Sequence, residues 1–452
     1  MDNDYFGYRG VVADILRKIN ASVGDRIIVK KKDKVFEGLL MPREKLYGDK
    51  PIIVIKLDNG YNVGVRVDKF TEIYLKEKRG ERKSFIGHKV KTQRTDLPKV
   101  VLLSTGGTIV SKVDYETGAV RPALSVEELT EFIPEISDIA VLDAREILNV
   151  FSEDITPRDW ESIAREIYKE MNEGVDGVVV AHGTDMMAYT AAAMAFAIRN
   201  KPVPIVFVGA QRSSDRPSSD SAFNLLSAFL TASRAPFAES VVVMHGETGD
   251  SYALAHRGVK VRKMHTSRRD AFQTINDKPL AVINPYEKKI IVINKIIEER
   301  NKDKEPVLEN KFDEKVALIK AYPGFQVDII HYLIDKKYHG IVIEGSGLGH
   351  ITNRAIEAIR RAVEEEIPVV MTSQCLFGRI DMFVYSTGRR LIEAGVIPGN
   401  DMLPETAYVK LSWILGSKTR NLDEVKELMT TNLAGEMNPR LTIDLFPRWP
   451  HT

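Results

Sequence analysis

Three short stretches of this chain carry residue types whose chemistry goes beyond what folding needs. The first is Ser104-Thr105-Gly106-Gly107-Thr108-Ile109, directly after the apolar run Val100 to Leu103. Paired glycines let a backbone turn tightly and bring its amides close to a bound atom. A buried strand of an open sheet also delivers the loop at its carboxyl end to the ligand crevice. Thr108 is presented there. The alternatives are a turn whose glycines serve geometry alone, or a phosphate-holding loop, although the spacing matches neither a P-loop nor a dinucleotide fingerprint. The second stretch is His182-Gly183-Thr184-Asp185, after the run Gly177 to Ala181. Thr and Asp could simply cap the helix that follows. Against that, two threonine-bearing loops at the same edge of one sheet converge in space. The third is Lys263-Met264-His265-Thr266-Ser267, set among Arg257, Lys260, Arg262, Arg268 and Arg269. Alone it reads as a solvated loop. Beside the other two it matters more, because a threonine hydroxyl hardly ionises and a desolvated lysine next to a carboxylate can accept its proton.

The elements that must position these residues fall into three regions. From about Gly24 to Leu75, five short β-rich runs alternate with turn residues, and Asp58-Asn59-Gly60 is a hairpin signal. Five strands without helices predict a small all-β, SH3-like barrel over 1–83, with the charged stretch Lys76 to Lys83 reading as solvated linker at its end and a linker over 84–97. From Pro98 the rhythm changes to continuous Val- and Ile-rich strands alternating with helices, the mark of strands buried on both faces. One helix is predicted from its ends: Thr156 as N-cap, Pro157 in the first turn and Asp159 closing a capping box. This β/α alternation predicts an α/β fold with a doubly wound, mostly parallel sheet over 98–295. A polar connector spans 296–315, and a second, smaller α/β domain spans 316–452.

Composition narrows the setting. A chain of 452 residues with 44% hydrophobic and 28% charged residues is that of a soluble globular protein of two or three domains. The longest apolar stretch, Ala191 to Ile198, is too short to span a membrane. The first residues lack the basic start and apolar run of a secretory signal. Cys375 is the sole cysteine, which excludes an intramolecular disulfide and a cysteine metal cluster and fits a reducing cytoplasm. A net charge of +1 argues against nucleic acid being gripped by the whole surface. Abundant Lys and Glu, with five Gln, point to a heat-adapted source.

The motifs TGGTI, HGTD and VGAQRSSDRPSSDSAFNL, followed by a lysine in a charged loop, resemble the type I and II bacterial asparaginases. The resemblance runs in order from about Pro98 to the C-terminus. It implies two asparaginase-like parallel-sheet domains and a threonine nucleophile that forms an acyl-enzyme. Residue by residue, Thr108 matches the nucleophile of TGGT, Thr184 and Asp185 match the Thr-Asp of HGTD, and Lys263 matches the lysine paired with them. Ser152 and Glu153 match the pair that holds the substrate's α-carboxylate and α-amino groups, and no metal is implied. Three departures stand out: Met186 replaces the second threonine of HGTDT, Glu153 stands where many members have Gln, and Gly118 to Pro122 lacks the usual loop tyrosine. Tyr115 lies several residues early for that place.

Nearly a hundred residues precede TGGT, and GVIPGNDMLPETAYVKLSWILG and GEMNPRLTIDLFPR are present. These features are similar to the family of D subunits of the archaeal glutamyl-tRNA(Gln) amidotransferases. That resemblance implies ammonia release from glutamine or asparagine for a tRNA-binding partner, the amidotransferase E subunit, which would carry the ATP and Mg chemistry. No cofactor is then expected on this chain. It further implies a homodimer through the asparaginase-like domains within an α2β2 complex, with glutamyl-tRNA(Gln) held mainly by the partner. Two other readings stay open: a stand-alone cytoplasmic L-asparaginase, told apart by full activity of the isolated chain, and a non-catalytic RNA- or protein-binding module, told apart by indifference to loss of Thr108.

Overall fold

The computed structural model describes residues 5–43, 50–57, 62–78, 96–106, 109, 111–113, 120–122, 129–130, 133–212 and 218–446. In the first unit, β1 (Arg26–Lys31), β2 (Lys34–Leu40), β3 (Ile52–Lys56), β4 (Asn62–Arg66) and β5 (Thr71–Glu77) form one antiparallel sheet, ordered β4-β3-β2-β1-β5. The five expected strands are therefore present. β3 and β4 pair from Ile52↔Arg66 to Lys56↔Asn62, as a hairpin must, while Asp58-Asn59-Gly60 lies outside the described residues. Two corrections apply to the expected all-β barrel. Among the described residues the sheet is open, with β4 and β5 as its ends. A helix, α1 (Gly10–Lys18), also precedes it and buries Val12, Ala13 and Leu16 against Ile27, Val29, Ile53 and Ile55. Nine residues are too few to be a stable helix by propensity, so its helicity comes from this packing. The proposed linker, 84–97, lies outside the described residues except for its last two.

The second unit is built on β6 (Lys99–Ser104), β7 (Val141–Glu146), β8 (Gly177–Ala181), β9 (Ile205–Val208) and β10 (Ser240–His245). They run parallel in the order β7-β6-β8-β9-β10. Every residue of β8, β9 and β10 is buried, which is why these strands are unbroken apolar runs. The sheet is mostly parallel, as expected, and beyond β10 it continues antiparallel: β11 (Ala253–Arg257), β12 (Ala281–Asn284) and β13 (Lys289–Val292) extend it to eight strands. Helices α2 (Pro157–Asn172) and α3 (Met187–Ala197) cover one face, and α4 (Ser221–Arg234) the other. The start of α2 is capped as expected, with the Thr156 amide and hydroxyl donating to Asp159 Oδ2 at 2.7 and 2.6 Å.

The third unit has four parallel strands, β14 (Val316–Lys320), β15 (Gly340–Gly345), β16 (Val369–Ser373) and β17 (Ile397–Pro398). Helices α5 (Asp328–Asp335), α6 (Ile356–Glu364) and α7 (Ser386–Glu393) flank it, followed by α8 (Pro404–Ser417) and α9 (Leu422–Thr430). α8 joins the two α/β units: Trp413 stacks on Phe196 of α3, with ring centres 5.7 Å apart. Lys260 and Asp401, both fully buried, pair across the same boundary at 2.6 Å. The polar segment 296–315 lies against the second unit rather than hanging free. Ala238 N–H donates to Glu298 O, and Val307–Leu308 pairs with Ile198–Arg199.

Candidate active site

The topology places the crevice. After β6 the chain goes to β7 on one side and then returns to β8 on the other, so strand order reverses between β6 and β8. In open α/β sheets the ligand crevice lies outside the carboxyl ends of the strands at such a reversal. The loops leaving β6 and β8 are those of the TGGT and HGTD motifs. They are stitched together at their roots: the Thr105 amide and hydroxyl both donate to Ala181 O, at 3.0 and 3.1 Å.

The segment before α2 closes the same corner. Val150 N–H donates to Thr105 O at 3.2 Å. Gly106 has φ +105°, and a Cβ there would lie 2.6 Å from Val150 O, so only glycine fits. Gly183 is equally confined, since its Cβ would sit 2.8 Å from Ser152 Cβ and 2.9 Å from Ser152 Oγ. Ser152 is thus buried against the HGTD loop, its hydroxyl donating to Glu153 Oε2 at 3.4 Å. From the far side, Gly209 at the end of β9 leaves room for Thr184, whose Cγ2 would be 2.7 Å from a Cβ at that position.

Lys263 ends the strand Val261–Lys263, which pairs with Phe272–Thr274 in register Lys263↔Phe272. Its Nζ donates to Thr184 Oγ1 at 2.9 Å and to Asp185 Oδ1 at 2.7 Å. Residues 78 and 79 positions apart in sequence therefore meet as the motifs predicted. The lysine side chain is 13% exposed and the aspartate side chain 65%, so the amine is held beneath a carboxylate that faces the crevice. Of the other predicted residues, Ser152 packs against Gly183, next to Thr184, and Glu153 is exposed, touching Ser152. Thr108 and Tyr115 lie outside the described residues.

His182 begins the motif but is no proton shuttle. It is fully buried, its Nδ1–H donates to Gly183 O at 2.7 Å, and burial holds it down to about 4. It remains neutral and shapes the loop. The sequence reading assigned no role to another polar set beneath the crevice. Asp220 accepts from the amides of Gln211 and Arg212 at 3.0 and 2.9 Å and from Asn224 Nδ2 at 3.0 Å. Asn224 also donates to Gly209 O at 3.0 Å and meets His245 Nδ1 at 2.6 Å. This network holds the end of β9, and hence the wall behind Thr184. A visible signal was Asn224 within the otherwise apolar run Phe223 to Leu226. Nor did the sequence reveal that Arg262, next to Lys263, pairs with Glu405 of α8 at 3.0 Å.

A half-buried amine touching a hydroxyl and a carboxylate, at a strand-order reversal next to a second threonine loop, can activate a hydroxyl nucleophile toward a carbonyl. The comparisons with known proteins agree. Residues 99–297 match the family described as Asparaginase, N-terminal, and 315–429 the Glutaminase/Asparaginase C-terminal domain. Residues 21–75 match the GatD N-terminal domain. A protein of Saccharolobus solfataricus, named as the D subunit of glutamyl-tRNA(Gln) amidotransferase, is 50% identical over 98% of this chain and 99% of its own. One of the same name from Metallosphaera sedula is 52% identical over the same shares. The chain belongs to the family of glutamyl-tRNA(Gln) amidotransferase D subunits.

Solved asparaginases share the α/β units of this family member. The thermostable L-asparaginase from Thermococcus kodakarensis is 34% identical, with a TM-score of 0.68, over 76% of this chain and 100% of its own. L-asparaginase I from Vibrio cholerae is 28% identical, with a TM-score of 0.66, over 76% of this chain and 99% of its own. The family's N-terminal match covers β1 to β4 and most of β5, the sheet set ahead of those units.

Proposed function

We propose that this chain is the amide-hydrolysing component of a glutamyl-tRNA(Gln) amidotransferase, releasing ammonia from glutamine or asparagine. The observation that carries the reading is Lys263 Nζ in contact with both Thr184 and Asp185 at the sheet's strand reversal. Thr108 attacks the side-chain carboxamide carbon and forms an ester. Its proton passes through Thr184 to Lys263, and ammonia leaves with a proton returned along the same path. Water then hydrolyses the ester. Ser152 and Glu153 hold the substrate's α-carboxylate and α-amino groups, Glu153 by charge. Ammonia is consumed by a tRNA-binding partner, the E subunit, which also holds ATP and Mg and most of the glutamyl-tRNA(Gln). Two copies of this chain pair through their α/β units in an α2β2 complex in the cytoplasm. The N-terminal sheet, an open variant of the SH3-like arrangement, adds the unit that asparaginases do not need. Among the described residues no helix is long and apolar enough to cross a membrane.

Thr108→Ala tests this. Ammonia release should fall to background while thermal unfolding and co-purification with the partner stay as in the parent. An active alanine variant, or an acyl adduct on a peptide other than the TGGT peptide, defeats the assignment. The likeness to the Thermococcus kodakarensis asparaginase favours a second reading, a stand-alone asparaginase. Full-speed asparagine hydrolysis by the isolated chain, unaltered by partner or tRNA, would establish it.

A further inference from the structure

The near-neutral total charge conceals two oppositely charged parts. Residues 1–95 hold 22 Lys and Arg against 13 Asp and Glu, whereas residues 96–452 hold 42 against 50. Such segregation marks a basic module joined to an acidic body, and a basic module is suited to a polyanion. Within it, the structure gathers cations at one end of the sheet. The registers Lys31↔Lys34 and Lys31↔Thr71 bring the β1–β2 turn alongside the start of β5. Lys30, Lys32 and Lys34 therefore stand beside Lys69, all four exposed. The nearby carboxylates are partly occupied: Lys31 takes Asp68 at 3.0 Å, and Tyr74 donates to Glu72 at 2.6 Å. Among the described residues no carboxylate pairs with Lys30, Lys32, Lys34 or Lys69. Two aromatic rings lie open among them, Phe70 at 57% and Tyr74 at 45% exposed. Lys69 Nζ sits 5.1 Å from the centre of the Phe70 ring, and Lys30 Nζ 5.4 Å from that of Tyr74.

We infer that this lysine- and aromatic-rich end of the N-terminal sheet is an RNA-contacting surface of this chain. Unpaired lysines at one end of a sheet can neutralise the phosphates of a nucleic-acid backbone, which supply most of the affinity of such contacts. Open aromatic faces accept unstacked bases, which structured RNAs offer in their loops and ends. An acidic protein partner would use the lysines but has no comparable use for two bare rings flanked by cations. The inference rests on the proposed role in one respect, that the RNA is a transfer RNA. The acidic body then keeps the nucleic acid away from the amide site, while the basic unit adds a contact to the RNA that the partner mainly holds.

The test uses the full-length chain, without partner, and a labelled tRNA(Gln) transcript as probe, with binding followed by anisotropy across a salt series. The variant K30A/K32A/K34A/K69A should bind at least tenfold more weakly near 0.1 M salt. It should also flatten the plot of log affinity against log salt by about 3, the slope carried by roughly four phosphate contacts. Phe70→Ala should weaken binding by about fivefold or more with the salt slope retained, as loss of one stacked base does. The control K288A/K289A/K336A/K337A, which removes as much charge from exposed lysines of the body, should bind as the parent does. Parent-like binding by the first variant, or an equal loss in the control, overturns the inference. So does unchanged RNA binding accompanied by lost co-purification with the partner, which would make the surface a protein dock. Ammonia release from free asparagine, measured on the same samples, judges the hydrolase reading separately and should be equal in all of them.

Discussion

Lys263 is joined to Thr184 and Asp185 by contacts of 2.9 and 2.7 Å, and two roles suit that geometry. The amine can act as a fixed positive charge or as a proton carrier. Lys263→Arg separates them, because arginine keeps the charge but cannot give up its proton. The expected outcome is a loss of about a hundredfold or more in ammonia release, the scale of lost acid–base help. A near-normal steady-state rate would leave only the charge role. His182 makes a different prediction. Its ordinary value of 6.5 falls to about 4 on folding, because burial disfavours the imidazolium. The unfolded chain therefore binds more protons between those values. The stability this histidine contributes is complete above about 6.5 and is lost as pH falls toward 4, by about 3 kcal/mol. Denaturant unfolding from pH 7 to 4 should show that decline, and His182→Asn should remove about one proton from its slope. An unchanged slope in the variant would refute this origin.

At the scale of elements, the site depends on glycines that let strands and loops approach without side chains between them. Gly209 is the most informative, since a Cβ there would lie 2.7 Å from Thr184 Cγ2, 2.7 Å from Met187 Cε and 2.8 Å from His182 O. The methionine tip can move and the carbonyl cannot, so the added methyl group must displace the HGTD loop. Gly209→Ala should lower kcat by about tenfold or more, because small misplacements of catalytic groups are costly. Partner binding should persist. Parent-like kcat would show that the loop yields without moving Thr184. The glycine itself was plain in the sequence, but its neighbours were not: Asn224 of α4 holds its carbonyl through a contact 15 residues away.

For the whole molecule, the question is what keeps an ammonia source from running idle. The stretch Gly118 to Pro122 lacks the tyrosine that the asparaginase resemblance leads one to expect. Arg262, beside Lys263, is tied to Glu405 at the start of α8, so the strand that carries Lys263 is also held by α8. An isolated chain with an incomplete site should hydrolyse glutamine slowly. Binding of the tRNA-binding partner with glutamyl-tRNA(Gln) should raise that rate tenfold or more by completing the site, a form of induced fit. The steady-state rate alone, with partner, and with partner and charged tRNA measures this. A chain that is fully active by itself, and unmoved by either addition, contradicts the coupling.

The sequence by itself determined what local patterning can specify. Buried parallel strands show as unbroken apolar runs because both faces are covered, so β6, β8, β9, β10, β15 and β16 were legible; the edge strand β14 carries a similar apolar run although most of it is half-buried. The capped start of α2 was legible because its signal spans four residues, Thr156 to Asp159. The motif residues were legible through resemblance, since their types and order survive in one dimension. Only the tertiary structure decided the rest, because those features depend on neighbours far apart in the chain. Strands β11 to β13 are held by an existing sheet edge rather than by their own pattern. The helix α1 exists because a sheet needs its buried face covered. The distances from Lys263 to Thr184 and Asp185 close a gap of nearly eighty residues, and no periodicity encodes that. The split between a basic first part and an acidic remainder is a count along the chain, but only the sheet registers set Lys30, Lys32 and Lys34 beside Lys69, because strand pairing joins positions nearly forty residues apart.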